Sequence, residues 1–246
     1  MNHLQPSLPH LPVELCAQEW IDDMKDLIQT YFYHGPWRHL DRVMWNHSYN
    51  LGDLRAWPLD ATIVYESSDM VYVLGSLKSA ANLAEVAHIC GVQVNTLVTL
   101  CAKELQAKGT PESWDAYLRL HSAQQCVYAL DDLTVKVAQD PTLYTEQAQK
   151  NCRVWSEIAR ALNARRAMLG KKQVVLFHCF GGIHRSPAAL AATLMAREGL
   201  QAQEAIEQIL WRRPSLRPWK NRDYILWALK HWETLLSKHA HAALSL

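Results

Sequence analysis

The pattern of apolar and polar positions changes character near residue 60. Before it, apolar residues fall at Val13, Cys16, Ala17, Trp20, Met24, Leu27, Ile28 and Tyr31. That spacing collects them on one helical face, and His34-Gly35-Pro36 stops the helix. Three prolines within residues 1–12 predict a leader ahead of it. Residues 36–60 hold Trp37, Trp45 and Trp57 without a clean period. We therefore expect residues 1–60 to be a helical, Trp-rich extension packed on a domain of residues 61–240. Packing accounts for these tryptophans. Aromatics are also enriched at interfaces, so the alternative is a docking segment for a protein partner.

From residue 61 the pattern becomes regular. Ile63-Val64-Tyr65, a polar turn at Ser67-Ser68-Asp69 and Val71-Tyr72-Val73-Leu74-Gly75 predict a hairpin. Residues 79–88 have helical spacing and are closed by Gly91, and residues 92–98 return as a strand. Thr110-Pro111-Glu112 combines an N-cap, a first-turn proline and an acid that complements the helix dipole, opening a helix through about residue 121. Strands follow at 126–130 and 133–138, then a long helix from Pro141 to about residue 168. Val174-Val175-Leu176-Phe177 reads as a strand and the Ala/Leu-rich residues 187–196 as a buried helix. Strands alternating with helices predict an α/β fold with a central, mostly parallel sheet flanked by helices.

Composition narrows the function classes. The 246 residues suffice for one sizeable domain with an extension. A formal net charge of +1 provides no global attraction to nucleic acid or to an anionic membrane, so nucleic acid is not expected as a partner. The six cysteines (Cys16, Cys90, Cys101, Cys126, Cys152, Cys179) include no Cys-x-x-Cys pair and no metal-like Cys/His spacing. That usage suits a reducing compartment, and neither metal nor cofactor is expected. The N-terminus lacks a basic region followed by an apolar core. No apolar run approaches the roughly 20 residues of a membrane span. The expected setting is intracellular, cytoplasmic or nuclear.

The chemistry concentrates in His178-Cys179-Phe180-Gly181-Gly182-Ile183-His184-Arg185-Ser186, between the 174–177 strand and the 187–196 helix. Loop N–H groups converging on a helix N-terminus favour an anion. Such a position, with a cation nearby, also favours thiolate over thiol, which makes Cys179 a candidate nucleophile. Arg185 offers a planar fork of donors that matches two phosphate oxygens. Gly181 and Gly182 allow close approach of the backbone and positive φ. Ser186 could cap the helix or donate to the sulfur. His178 is expected to orient the loop. Phe180, Gly181, Gly182, Ile183, His184 and Arg185 form the expected phosphate-binding loop.

Cys, five residues, Arg and Ser, with His before the Cys and Gly three after it, resemble the signature of the cysteine-based protein tyrosine phosphatase superfamily. Arg185-Ser186-Pro187 followed by Leu194-Met195 is most similar to the dual-specificity branch. The hairpin ending near Gly75-Ser76, then helix and strand, resembles the opening of such domains. The resemblance spans roughly residues 60–238, with residues 101–126 read as an insertion. It implies a phosphatase that hydrolyses phosphate monoesters through a cysteinyl-phosphate, without metal. The implied substrates are phosphotyrosine and phosphoserine/threonine on proteins. A phosphate-binding pseudophosphatase or scaffold is the non-enzymatic rival. The same chemistry on RNA 5′ ends, phosphoinositides or phosphorylated glycans is another. A rhodanese-like sulfurtransferase fits less well with Gly182, Ser186 and the five-residue spacing.

The resemblance also implies an upstream Asp that protonates the leaving oxygen. Asp140, after an alternating stretch and before Pro141, is the first choice; Asp132 and Asp131, after the 126–130 strand, compete with it. The alternative role for Asp140 is N-cap of the following helix. Downstream, residues 212–222 hold the one local basic cluster, Arg212, Arg213, Arg217, Lys220 and Arg222. It reads either as a solvated inter-helix turn or as a positive rim beside the site.

Overall fold

The computed structural model describes residues 61–102, 114–131, 133, 140–170, 172–216 and 222–244. The expected extension 1–60, the Thr110-Pro111-Glu112 cap, the 133–138 strand (beyond Leu133 itself) and Asp132 lie outside them.

The predicted hairpin is formed by β1 (Thr62–Glu66) and β2 (Met70–Gly75), antiparallel, with Ser67 donating its N–H to the Met70 carbonyl at 2.9 Å across the turn. Three further strands complete the sheet: β3 (Thr96–Thr99), β4 (Gln124–Val127) and β5 (Gln173–His178). The order is β1-β2-β5-β3-β4, and every pairing except β1·β2 is parallel. All residues of β2 and β5 are buried, as expected of central parallel strands covered on both faces.

One face of the sheet, carrying Val71, Val73, Leu97 and Leu176, packs against Leu83 and Val86. The residues read as one helix over 79–88 form two, α1 (Leu77–Ala80) and α2 (Leu83–Cys90). The break has a physical cause. Tyr117, on α3 (Trp114–Leu120), accepts the Leu83 N–H at 2.7 Å and donates to the Ala80 carbonyl at 3.1 Å. A side-chain hydroxyl thus takes the bonds that a continuous helix would make internally. Gly91 ends α2 at φ 66°, the left-handed cap that glycine adopts without a Cβ clash.

The strand expected over 92–98 starts at Thr96, and Asn95 just before it donates its N–H to the Val174 carbonyl. Its side-chain oxygen accepts from Val174 N, and its carbonyl accepts from Gln124 N and the Arg165 guanidinium. The strand expected over 126–130 is shifted to 124–127. Beyond it Tyr128 donates to the Thr99 carbonyl, and Ala129 makes an isolated antiparallel bridge with Cys101.

The long predicted helix is α4 (Pro141–Leu169), followed by α5 (Arg185–Glu198), α6 (Ala202–Arg212), a 3-10 turn (Pro214–Leu216) and α7 (Arg222–Leu244). Residues Ser186 to Met195 of α5 are all buried, the outcome its Ala/Leu composition predicts. Trp155 of α4 and Trp232 of α7 meet edge-on at 6.3 Å, and the Trp232 indole donates to the Ala192 carbonyl. Among the described residues no helix is long and apolar enough to cross a membrane.

At the end of β2, Gly75 is required for close approach. A Cβ there would stand 2.7 Å from both Cβ and Oγ of Ser79, and the Ser79 hydroxyl accepts the Ser76 N–H. We expect Gly75→Ala to cost about 1–3 kcal/mol, by displacing α1 from the sheet. Urea denaturation at constant m-value checks this, and an unchanged midpoint would show that α1 yields freely.

The sheet's other face holds a titratable cluster. Tyr72 is fully buried; it donates to Glu198 at 2.6 Å and accepts from Arg197 Nε at 3.2 Å. Burial, then the Glu198 carboxylate, pushes its phenol well above the ordinary 10.0. Burial also raises Tyr144, and pushes Tyr128 up to about 12. The folded state therefore binds these protons more tightly than the unfolded chain. Their stabilising contribution is complete below about pH 10 and is lost as pH rises through the folded-state values. The melting temperature should fall steeply above about pH 10 and less steeply in Tyr72→Phe. Equal slopes would exclude Tyr72 as a source of the effect.

Candidate functional site

The loop after β5 lies at the carboxyl ends of the parallel strands, where open α/β sheets place ligands. Cys179 is 3% exposed and forms the floor of the loop. Its Sγ accepts from Gly182 N at 3.3 Å and from Ser186 Oγ at 3.3 Å. Gly182 stands at φ 69°, a conformation that glycine adopts at no Cβ cost as the loop turns toward α5. Two donors thus converge on one sulfur. Of the two roles open to Ser186, the structure shows donation to sulfur. The N-cap of α5 is His184, whose side chain makes no capping bond.

Arg185, the first residue of α5, is half-buried, and its Nη1 donates to the Leu100 carbonyl at 3.4 Å. The chain just past β3 thus anchors the guanidinium at the loop's edge. The loop is also tied from behind: Leu77 N donates to the Phe180 carbonyl at 3.1 Å, and Leu100 N to the His178 carbonyl at 3.0 Å. Phe180, Gly181, Ile183 and His184 are half-buried along the loop, and Gly182 is buried.

His178 is fully buried, and its Nε2 lies 2.6 Å from Thr99 Oγ1. Gln125 Nε2, on β4, in turn donates to Thr99 Oγ1 at 2.7 Å. Neither Thr99 nor Gln125 stands out in the sequence, since the predicted strands end at residue 98 and begin at 126. The signal in the sequence is a hydroxyl residue directly after the expected strand.

The acids fall into different settings. Asp140 is exposed and caps α4, its Oδ1 accepting from Thr142 N and Leu143 N, both at 3.0 Å. Asp131 pairs with Lys150 Nζ at 2.7 Å, and its backbone N–H and carbonyl are both bound by the buried Asn151. In the basic cluster, Arg212 is exposed, but Arg213 is buried and donates to the Leu74 carbonyl at 3.4 Å. Arg213 therefore supports the end of β2 and belongs neither to a solvated turn nor to a rim. Its neighbour Trp211 is exposed. Arg222 is half-buried, and Arg217 and Lys220 lie outside the described residues.

Among the described residues the cysteines are free, and no three His, Cys, Asp or Glu side chains converge as a metal site would require.

No family model and no curated protein matches the chain. Solved structures do show similar folds. Tk-PTP in its active form is 21% identical over 71% of this chain and 98% of its own, with a TM-score of 0.47. PTPMT1 in complex with PI(5)P is 18% identical over 74% of this chain and 99% of its own, at 0.46. Human DUSP28 is 19% identical over 74% of this chain and 97% of its own, at 0.46.

Proposed function

We propose that the chain is a cysteine-dependent phosphatase hydrolysing phosphate monoesters, with phosphotyrosine and phosphoserine/threonine on proteins as its substrates. The observation that carries this reading is the sulfur of Cys179, which accepts from both Gly182 N and Ser186 Oγ at the N-terminus of α5, with Arg185 on the same loop. A merely packed thiol needs neither donor.

In the proposed reaction Cys179 Sγ attacks phosphorus, and the bond to the substrate oxygen breaks. Arg185 and the loop N–H groups hold the equatorial oxygens, where charge is present throughout the transfer. A general acid gives its proton to the leaving oxygen. Water then attacks the cysteinyl-phosphate, the same group removing its proton. The sulfur leaves as a thiolate, which the Ser186 hydroxyl and Gly182 N–H receive. None of Phe180, Ile183 and His184 adds a fixed cation, which supports singly phosphorylated substrates over highly charged inositol phosphates.

We assign the acid to Asp140, with Asp132 and then Asp131 as alternatives. The cap uses Oδ1 of Asp140, and the two capping bonds give a clean way to separate the roles. Asn caps helices about as well as Asp but carries no transferable proton. Asp140→Asn should therefore keep the protein's stability while slowing an unactivated alkyl phosphate by about 10²–10⁴-fold. Turnover of para-nitrophenyl phosphate, whose leaving group hardly needs protonation, should be largely spared. Alkyl turnover unchanged in Asp140→Asn but lost in Asp132→Asn would move the role to Asp132. The ion pair of Asp131 with Lys150 and the capping bonds of Asp140 also favour a second reading, a phosphate-binding scaffold that turns over little. It predicts negligible hydrolysis even of the activated substrate.

A further inference from the structure

The Gln125–Thr99–His178 chain has a direction. Gln125 Nε2 is a donor only, so Thr99 Oγ1 receives one hydrogen bond from β4 and retains its own proton. Nε2 of His178, 2.6 Å away, is placed to take that proton. A nitrogen that accepts carries no hydrogen, and in that arrangement the imidazole proton sits on Nδ1. In a neutral imidazole the tautomer is the variable left to set. Gln125 is half-buried on the strand at the sheet's edge and its side chain reaches inward to the buried Thr99.

We propose that Gln125 is a positioning residue that fixes the tautomer of His178 through Thr99, and thereby the orientation of the residue preceding Cys179. Its consequence for turnover rests on the phosphatase reading; the tautomer does not. Gln125→Glu reverses the chain. A carboxylate can only accept, so Thr99 donates to it and offers a lone pair to His178, drawing the ring proton to Nε2. Gln125→Leu removes the bias.

The test is two-bond ¹H–¹⁵N correlation of the full chain labelled with ¹⁵N-histidine, with His178 assigned by the signal that disappears in His178→Asn. The expected result is Nδ1–H in the wild type, Nε2–H in Gln125→Glu and a mixture in Gln125→Leu. Thr99→Ser should keep Nδ1–H and Thr99→Val should lose it, so the proposal stays testable if a Gln125 variant folds poorly. The same tautomer in wild type, Gln125→Glu and Gln125→Leu would overturn the proposal. Nε2–H in the wild type would also overturn it, since the amide would then face Thr99 with its oxygen. On para-nitrophenyl phosphate, Gln125→Glu should lower kcat about tenfold, with KM within about twofold. A tautomer switch without any wild-type turnover would refute the phosphatase reading and leave this inference standing.

Discussion

Cys179→Ser is expected to lower hydrolysis of para-nitrophenyl phosphate by about four orders of magnitude or more, because it removes the nucleophile of a unit whose members act together. The substitution is nearly isosteric, and the donors aimed at the sulfur, Gly182 N and Ser186 Oγ, remain in place to meet the new hydroxyl. The fold should therefore survive, and the anion site with it. A serine hydroxyl is far less acidic than a thiol, so the same donors cannot turn it into a comparable nucleophile. The variant should bind a phosphopeptide with an affinity close to that of the wild type while failing to turn substrate over. Equilibrium titration beside steady-state kinetics reads both quantities. Wild-type turnover in the variant would sink the proposed mechanism.

Arg185→Lys should lower kcat/KM by about 10²–10³-fold although it keeps the charge. Nη1 of the guanidinium donates to the Leu100 carbonyl, and in the proposed reaction its planar fork also meets phosphate oxygens. An ammonium presents donors from a single point and cannot serve the carbonyl and two oxygens in one plane. Most of the loss should appear in kcat, since the equatorial oxygens bear the charge that the site stabilises during transfer. A loss confined to KM would make Arg185 a substrate anchor only. Arg185→Ala should be worse than Arg185→Lys by a further factor, and equality of the two would show that the fork geometry is the whole contribution.

Much of this site is legible in the sequence itself, for a physical reason. The loop is local: β5, Cys179 to His184 and α5 are contiguous, and their bonds run between residues three to seven apart. Such contacts are written in the spacing of Cys, Gly, Arg and Ser. The hairpin and the long α4 were readable for the same reason, a run of one period bounded by turn or cap residues. What escaped the sequence is held by partners far along the chain. Thr99 reaches His178 from 79 positions away, and Gln125 reaches Thr99 from 26, only because β5, β3 and β4 lie in that order in the sheet. The break between α1 and α2 depends on Tyr117, more than thirty residues on. Arg213 looked like part of a basic surface, yet the end of β2 buries it. Asp140 shows the opposite limit: a capping motif and an acid loop share one pattern, and the observed capping bonds do not exclude the second role.

The most direct test of the central claim is to trap the intermediate. Wild-type protein would be mixed with ³²P-labelled aryl phosphate, quenched in acid within the first turnover, digested, and the labelled peptide sequenced by mass spectrometry. The account predicts one phosphoryl group on Cys179, none in Cys179→Ser, and a longer-lived label in Ser186→Ala, where the departing sulfur loses a donor. Steady turnover with no label on Cys179, or label on another residue that persists in Cys179→Ser, would contradict it.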